Sequence, residues 1–304
     1  MKVAITGGSG FVGAVVRELA ASLSWEVTLL ARASSALTLR ENETRSEWDA
    51  SQRQGKVPSL KGQDALINLA ALIPSDYRQA ALADACMQVN ALAVLSLVEA
   101  CERDGVGRLV HVSSGNIYSP SLELVTEDAA TYPAQRATYY LTSKLAGELY
   151  VEHARLQKKV SSAVLRASSV YGPGMGPGLI PTFASKLLGN QDIVVQDGGR
   201  YGVDLVFVKD VANAVVSATQ GDAEGIFNIG LGRMTTVLEV AQLLLDITGA
   251  ATRLLTVQPA GASQVSQGFP GLDTSRSIEM LGTVATELRD GLSVYVRSLQ
   301  GKST

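Results

Sequence analysis

Cysteine and histidine are scarce in this chain of 304 residues, with two of each. Cys86 and Cys101 fall in one helix-like stretch, and their separation would place them roughly 22 Å apart at ~1.5 Å per residue. A disulfide needs Cα atoms within about 7 Å, so both thiols are expected to be reduced and buried, as in a cytoplasmic protein. His111 in a predicted strand and His153 in a predicted helix need no catalytic role, and since no H-x-x-H or C-x-x-C pattern occurs, the sequence predicts no metal site.

Long apolar runs and runs of one charge are also absent. No stretch of about 20 uninterrupted apolar residues occurs, so no transmembrane helix is predicted, and the N-terminus has no signal-peptide pattern. Aromatic residues are 5% of the chain, the formal net charge is −3 and the pI is about 5.5, without the basic patch typical of nucleic-acid-binding proteins. A cytoplasmic protein without membrane or nucleic-acid partners is expected.

The first two thirds of the chain alternate short apolar runs with longer helical patterns. Strands are predicted over residues 3–5, 27–30, 64–68, 108–112 and 162–166. Helices are predicted over residues 13–22, 82–102 and 140–157. This alternation predicts a doubly wound parallel sheet with helices on both faces, an α/β fold of the Rossmann kind.

The pattern changes after residue 166. Residues 171–178 hold four glycines and two prolines and are predicted to form a loop. Helices are then predicted over residues 180–188, after Asp210 and over residues 237–248, with short strands between them. Residues 259–271 are polar and favour a surface loop.

A glycine-rich turn follows the first predicted strand. Gly7, Gly10 and Gly13 form a G-x-x-G-x-x-G pattern between that strand and a helix. Such a turn lets a pyrophosphate approach the backbone and meet the amides at the helix N-terminus. A connection without a ligand could carry the same glycines, but the position directly after an apolar strand favours a dinucleotide site.

The end of the second predicted strand bears on the choice of cofactor. An acid there would bind the ribose hydroxyls of NAD, whereas a basic residue accommodates the 2′-phosphate of NADP. Ala31 stands where the acid is expected, and Arg32, Ser34 and Ser35 follow it. The sequence therefore favours NADP over NAD, with a solvated surface role for Arg32 as the alternative.

A Y-x-x-x-K pattern, Tyr140 and Lys144, begins a predicted helix. The spacing of four puts both side chains on one helical face, where the ammonium group would favour the phenolate of a tyrosine whose ordinary pKa is near ~10. Chance produces this spacing often, so a further signal is needed. Ser114 supplies it, because it follows a predicted strand at the sheet edge where ligands bind and can hydrogen-bond the reacting substrate oxygen.

Together these segments resemble the extended short-chain dehydrogenase/reductases, the NAD(P)-dependent epimerase/dehydratase family. The resemblance runs in order through residues 6–13, 48–50, 68–71, 89–91, 113–118, 140–148, 165–166, 170–173, 206–212 and 227–230. It implies that Ser114, Tyr140 and Lys144 are catalytic. The cofactor-binding residues it implies, together with Arg32, are Gly7, Gly10, Phe11, Val12, Gly13, Asp49, Ala50, Leu69, Ala70, Ala71, Asn90, Tyr140, Lys144 and Val170. The expected substrate-binding residues are Ser114, Asn116, Ser169 and Arg200.

The resemblance also implies an organisation. We expect a dinucleotide-binding domain over residues 1–166, with 203–222 returning to it, and a smaller C-terminal α/β substrate-binding cap over 167–202 and 223–304. A homodimer is expected through the long helix 82–102 and the tyrosine helix, with ordinary intramolecular packing as the alternative.

Some positions depart from the family pattern. Ser169 stands where sugar-nucleotide members carry asparagine, and Val203 stands where they carry an arginine that binds the substrate pyrophosphate. Valine offers no charge-assisted fork, although Arg200 is close in sequence and could substitute. Gly115 and Asn116 stand where the sugar dehydratases carry an acid pair, which disfavours elimination of water.

Three hypotheses follow. The first is an NAD(P)-dependent epimerase or ketoreductase that acts on a sugar, nucleotide-linked in the leading version. The second, motivated by Ser169 and Val203, is a dehydrogenase or reductase of a sugar acid or another small carbonyl compound. The third is a dinucleotide sensor without catalysis, which would have little reason to keep Ser114, Tyr140 and Lys144 together.

Overall fold

A large parallel sheet forms the centre of the protein. The computed structural model describes residues 1–52, 56–74, 76–77, 79–132, 137–259 and 268–301. Within these residues, seven strands pair in the order β3-β2-β1-β4-β5-β6-β10, every pair parallel. Their bounds are β1 Lys2–Thr6, β2 Glu26–Ala31, β3 Glu43–Glu47, β4 Ala65–Asn68, β5 Arg108–Ser114, β6 Ser161–Ala167 and β10 Gly225–Ile229. The predicted doubly wound α/β fold is confirmed.

The central strands are short apolar runs because both of their faces are covered. Every residue of β4 is buried. Helices α1 (Phe11–Ser22) and α6 (Val208–Gln220) pack together over one face. Helices α3 (Ala93–Asp104) and α4 (Thr138–Leu156) pack together over the other face. Strand order reverses between β1 and β4, the position at which open α/β sheets bind ligands at their carboxyl ends.

The long helix predicted over residues 82–102 is interrupted. It consists of α2 (Ala83–Met87), a π-helical turn (Gln88–Leu92) and α3. Taken as one run, Ala80–Asp104 is long and apolar enough to cross a membrane by length and composition alone, with a mean hydropathy of 1.7. Core helices of soluble proteins pass the same test, and this run packs along α4.

A second apolar core gathers the C-terminal elements. Strands β11 (Met234–Thr236), β9 (Gly202–Phe207) and β7 (Ser169–Tyr171) form a small sheet in that order. Strands β8 (Ile193–Val195) and β12 (Leu255–Val257) pair separately. The helices here are α5 (Leu179–Leu188), α7 (Val237–Thr248) and α9 (Leu288–Gln300). Helix α8 (Ser275–Leu281) packs instead against β10 and α6, and its Leu281 belongs to the core of the large sheet.

The two parts of the chain are interleaved differently from the predicted boundaries. Strand β10 lies in the large sheet beside β6, although residues from 223 onward were expected in the cap. Strand β9 lies in the small sheet, although residues 203–222 were expected to return to the first domain; only α6 does so, by packing on α1. Each strand is apolar enough for either core, so the sequence pattern does not distinguish them.

Candidate active site

The glycine-rich turn is built for a close backbone approach. Gly7 has a φ of +68°, and a Cβ there would lie 2.6 Å from the Ala70 nitrogen at the end of β4. A Cβ on Gly13 would lie 2.2 Å from the Gly7 carbonyl oxygen. Both positions therefore require glycine. Gly10 precedes α1 without a side-chain cap, which leaves the first amides of the helix available to an anion.

A cavity of about 560 Å³ opens beside this turn, at the reversal of strand order. Eight of the predicted cofactor-binding residues line it: Gly7, Gly10, Arg32, Asp49, Ala50, Leu69, Ala70 and Ala71. Phe11, Val12 and Val170 lie instead at the junction of the two cores, where each packs against the C-terminal one. The sequence motifs thus converge on one cleft, which we call the cofactor cavity.

The far end of the cofactor cavity carries a cation and an anion. Arg32 is exposed there, directly after β2, and its backbone oxygen accepts a hydrogen bond from the Arg45 guanidinium. Burial alone would raise the pKa of Asp49, but the Ser51 hydroxyl and amide and the nearby Arg32 hold it below the ordinary value. Arg32 and Asp49 therefore lie near each other at this end of the cofactor cavity.

A buried hydrogen-bond chain supports the strand ends beneath this cavity. The Thr6 hydroxyl donates to Asn68 Oδ1 at 2.5 Å, and Asn68 Nδ2 lies 2.9 Å from His111 Nδ1. Burial, and then the charge of Lys144, hold the pKa of His111 well below its ordinary value, so the imidazole is neutral and accepts from Asn68. His111, assigned no catalytic role from the sequence, thus holds the side chain of Asn68. The next residue, Leu69, lines the cofactor cavity.

The predicted catalytic residues meet at the end of β5. Ser114 forms a side-chain hydrogen bond with Tyr140. Lys144, one helical turn along α4, donates from Nζ to the Val112 carbonyl oxygen at 2.7 Å. Burial raises the pKa of Tyr140 above its ordinary value and lowers that of Lys144 to about 8. Tyr140 is therefore protonated at neutral pH, whereas Lys144, one turn along the same helix, is charged.

Asn90 holds this arrangement rather than lining the cofactor cavity. It accepts from the Leu72 amide at 2.8 Å, and its Nδ2 donates to the Leu72 carbonyl and to Ser143 Oγ. Ser143 in turn donates to the Tyr140 carbonyl oxygen at 2.6 Å. The π-helical turn carries Asn90, and α4 approaches it so closely that a Cβ on Gly147 would lie 2.3 Å from the Asn90 carbonyl oxygen.

Behind the site, a buried ion pair anchors α4 to β6. The Arg166 guanidinium contacts the Glu148 carboxylate at 2.8 Å, with the side chains 5% and 2% exposed. Arg166 also donates to the Tyr118 hydroxyl, which donates to Asn228 Oδ1 on β10. Glu148 follows Lys144 by one turn, so this pair fixes the rotation of α4 about its axis.

The predicted substrate-binding residues are more dispersed. Asn116 lies in the short turn after β5, where its backbone amide donates a hydrogen bond to Ser114 Oγ at 3.2 Å. Ser169 is partly buried on β7, and Arg200 is exposed before β9. In the described part of the chain, neither forms a hydrogen bond with Ser114, Tyr140 or Lys144.

An aromatic neighbour of Tyr140 was not predicted. The Tyr77 ring, from the loop after β4, lies 5.9 Å from that of Tyr140, centroid to centroid. No motif marks Tyr77, because the contact joins a loop and a helix, α4, that only the folded sheet brings together.

Comparison with known proteins agrees with this site. The model of the NAD dependent epimerase/dehydratase family matches residues 3–230. A UDP-glucose 4-epimerase from Mycolicibacterium smegmatis is 30% identical over 224 residues, which cover 71% of this chain and 69% of that protein. A dTDP-glucose 4,6-dehydratase from Streptomyces niveus is 27% identical, over 82% of this chain and 78% of that protein.

Solved structures share the fold. MoeE5 in complex with UDP-glucose and NAD superposes with a TM-score of 0.83 at 25% identity and covers both chains fully. DesIV, the dTDP-glucose 4,6-dehydratase from Streptomyces venezuelae with NAD bound, gives 0.83 at 25% identity over 99% of this chain and 97% of its own. The chain therefore belongs to the NAD-dependent epimerase/dehydratase family and is an enzyme of the extended short-chain dehydrogenase/reductase type.

Proposed function

We propose that this enzyme interconverts a hydroxyl and a carbonyl group on a nucleotide-linked sugar, as an epimerase or a ketoreductase, with Tyr140 as the proton donor and acceptor. The observation that carries the proposal is the meeting of Ser114, Tyr140 and Lys144 at the carboxyl edge of the sheet, next to a cleft fitted to a dinucleotide. The names of the relatives, which include sugar-nucleotide epimerases, support the sugar substrate.

The cleft fits a dinucleotide because its glycine-rich turn presents backbone rather than side chains to a ligand. The turn is packed so tightly that neither Gly7 nor Gly13 has room for a Cβ. Gly7, Gly10 and the start of α1 would hold the pyrophosphate, and Asp49 and Arg32 the adenosine end. When bound, the nicotinamide supplies or accepts the hydride.

The residues of the chain handle the proton. Ser114, hydrogen-bonded to Tyr140, orients the substrate oxygen toward the phenol. Burial keeps Tyr140 protonated, so it donates to a carbonyl during reduction. In the reverse direction, an ammonium group one helical turn away favours the phenolate that accepts the proton, which is the role we propose for Lys144. Asn90 and the Glu148–Arg166 pair hold α4 so that both groups stay in place.

Elimination of water is not part of the proposal. Gly115 has no side chain, a Cβ there would displace Leu272 Cδ1, which would lie 2.7 Å from it, and Asn116 has no titratable group. The acid pair expected of a sugar dehydratase therefore has no counterpart at these positions.

The cofactor is proposed to be NADP in preference to NAD. Ala31 and Arg32 line the adenosine end of the cavity, where a guanidinium suits a 2′-phosphate. Fluorescence titration should give tighter binding of NADPH than of NADH. Replacing Arg32→Ala should weaken NADPH binding about tenfold or more and leave NADH binding unchanged; tighter NADH binding by the wild type would contradict the preference.

The function is tested by turnover of UDP-glucose, UDP-galactose and dTDP-glucose, with analysis of cofactor that co-purifies. Nicotinamide retained at about one per chain indicates an epimerase that returns its hydride, whereas release after one transfer indicates a reductase. The Tyr140→Phe variant should lose a factor of about 10² to 10⁴ in kcat, with cofactor binding preserved. Unchanged turnover would contradict the role of Tyr140, and cofactor binding without turnover of any substrate would favour a sensor.

A second candidate is a reductase of a sugar acid or another small carbonyl compound. Val203 packs against the C-terminal core and offers no charge to a pyrophosphate. The neighbouring Asp204 carboxylate is occupied by the amides of Leu231, Gly232 and Leu272. NADPH-dependent reduction of small carbonyl compounds without turnover of nucleotide sugars would favour this candidate.

A further inference from the structure

His111 is a buried, titratable side chain at the candidate active site that the proposed reaction does not use. It lies on β5, three residues before Ser114, and its side chain is fully buried. The next residue, Val112, provides the carbonyl oxygen that accepts the hydrogen bond from Lys144. Burying a polar ring costs free energy unless its nitrogen atoms find partners, so its hydrogen bonds indicate what the ring does.

The hydrogen bond to His111 ends a line of hydrogen bonds that crosses three neighbouring strands. Thr6 on β1, Asn68 on β4 and His111 on β5 are register partners. The backbone amide of Ala70, a residue that lines the cofactor cavity, donates to Thr6 Oγ1 at 3.3 Å. Thr6 donates to Asn68 Oδ1 at 2.5 Å, and Asn68 Nδ2 lies 2.9 Å from His111 Nδ1. The line therefore starts at the cofactor cavity and ends beside the residue that Lys144 contacts.

The direction of these hydrogen bonds follows from the atoms in them. The amide oxygen of Asn68 can only accept, so the Thr6 hydroxyl donates to it. The amide nitrogen of Asn68 can only donate, so His111 Nδ1 carries a lone pair rather than a proton. Among the described residues, Nε2 of this ring has no hydrogen-bond partner, so Asn68 alone selects the tautomer. The imidazole is therefore neutral, with its proton on Nε2.

A neutral imidazole suits the neighbouring ammonium group. Burial, and then the charge of Lys144, oppose protonation of His111 and hold its pKa well below the ordinary value. On Lys144 itself burial lowers the pKa, and Glu148, one turn along α4, acts in the opposite direction. A cationic imidazole would lose the hydrogen bond from Asn68 and repel the ammonium group. The neutral ring thus joins β5 to β4 without adding charge beside Lys144.

We propose that His111 is a positioning residue for Lys144, which it links to the glycine-rich turn through Asn68 and Thr6. This role deepens the proposed function and rests on it. Because the ring anchors β5 to β4, the Val112 carbonyl oxygen stays in line with the ammonium group. Loss of the anchor should misplace Lys144 relative to the cofactor, and small misplacements of reacting groups lower rates strongly.

Two variants of nearly equal size separate the hydrogen bond from the packing. His111→Asn places an amide oxygen where Nδ1 accepts, whereas His111→Leu has no acceptor and leaves Asn68 Nδ2 buried and unpaired. His111→Leu should lower kcat about tenfold or more and change the Kd of the cofactor less than about threefold, and His111→Asn should restore most of kcat. His153→Gln, which alters an exposed histidine on α4, is the control and should change neither quantity.

Nuclear magnetic resonance gives a readout that does not depend on turnover. The chain has two histidines, so His153→Gln identifies the imidazole nitrogen signals of His111. In cofactor-free protein His111 should carry its proton on Nε2 alone, and Asn68→Asp, which removes the donor, should move a proton onto Nδ1. The proton affinity of Lys144, followed by the carbon shifts of its side chain, should fall about tenfold in His111→Leu, because the ammonium group loses a well-placed acceptor. It should stay unchanged in His111→Asn.

The outcomes separate the positioning role from the proposed function. A proton on Nδ1 in the wild type, or wild-type kcat and Lys144 titration in His111→Leu, overturns the role of His111. An Asn variant as impaired as the Leu variant also overturns it, because packing would then account for the loss. A wild type without turnover of any sugar, in which the tautomer and the Lys144 titration behave as expected, supports the role and contradicts the reaction. If His111→Leu fails to fold, the wild-type tautomer and its response to Asn68→Asp decide.

Discussion

Lys144 is a cation held in the interior of the protein at the candidate active site. Its side chain is 2% exposed, and the Val112 carbonyl oxygen accepts a hydrogen bond from its ammonium group. Burial lowers the pKa of Lys144 from 10.5 to about 8, while Glu148 acts in the opposite direction. Since one pKa unit corresponds to about 1.4 kcal/mol, keeping the ammonium charged at pH 7 costs the folded state about 3 kcal/mol.

The cost predicts a trade between stability and activity. The folded protein binds fewer protons than the unfolded chain between about pH 8 and 10.5, so this group makes stability rise with pH across that window. Lys144→Met should therefore abolish activity yet raise the free energy of unfolding at pH 7 by up to about 3 kcal/mol. The gain should vanish above pH 10.5.

Urea denaturation across pH measures this effect. Lys186→Met, which replaces an exposed lysine on α5, is the control and should change little at any pH. A less stable Lys144→Met protein at pH 7 would mean that the ammonium group is a net stabiliser of the folded state, which would contradict the predicted cost of burying it.

For single residues, the sequence predicts which side chains could be reactive better than it predicts which other side chains contact them. The spacing of Tyr140 and Lys144 and the strand-end position of Ser114 are local patterns, and the structure brings the three together. His111 and Tyr77 acquire their contacts only when strands and loops distant in sequence meet. A single sequence carries no local signal for such contacts.

Helix α4 is the element on which the site depends. Its inward face carries Tyr140 and Lys144, and its rotation is set by Glu148 paired with Arg166. Removing one member of such a pair leaves the other charge buried and unpaired, which costs about 3–5 kcal/mol. Glu148→Met and Arg166→Met should therefore each be strongly destabilising, and the double variant should be more stable than either single variant.

A double-mutant cycle by thermal or urea denaturation checks this prediction. The exposed pair Arg289–Asp246, at 2.9 Å with side chains 55% and 63% exposed, is the matched control and should contribute little. Additive losses in the Glu148 and Arg166 variants would refute the pairing as the anchor of α4.

Elements with a strong apolar period were predictable, and elements set by tertiary contacts were not. Strand β3 has the sequence Glu-Thr-Arg-Ser-Glu and pairs with β2 at the edge of the sheet. Because all five residues are polar, no apolar pattern predicts a strand there. In the sequence, the π-helical turn continues the apolar period of an ordinary helix. In the structure, it lies where Asn90 forms hydrogen bonds with Leu72 and Ser143 and packs closely against Gly147. Such π-turns recur at functional sites, where they redirect one residue.

For the whole molecule, the strand–helix alternation predicted the doubly wound sheet and the place of its cleft. The sequence could not show how the chain alternates between the two cores after residue 166. Helix α6 returns to the large sheet, β9 stays in the small one, and β10 closes the large sheet again. Short apolar strands suit either core, so the division into cofactor and substrate domains stays a proposal.

Assembly is the last property at this scale, and a homodimer through α4 and the run Ala80–Asp104 is proposed. On α4, Leu149 is 62% exposed and Leu156 is 66% exposed, one above the other on the outer face. Only 39% of the most apolar window of Ala80–Asp104 is buried within the chain. Two adjacent helices with open apolar surface are a self-complementary patch that a twofold partner can cover.

Sedimentation at micromolar concentration should therefore give twice the mass of one chain. Replacing Leu149→Arg together with Leu156→Arg should give a folded monomer, because two buried like charges would face their copies across the twofold axis. Val284→Arg alters an exposed apolar residue between α8 and α9 and should leave the dimer intact. A wild-type monomer, or a double variant that still sediments as a dimer, would rule out this face. Because Tyr140 and Lys144 project from the inward side of the same helix, loss of the dimer should also lower kcat by loosening α4, while the Kd of the cofactor changes less.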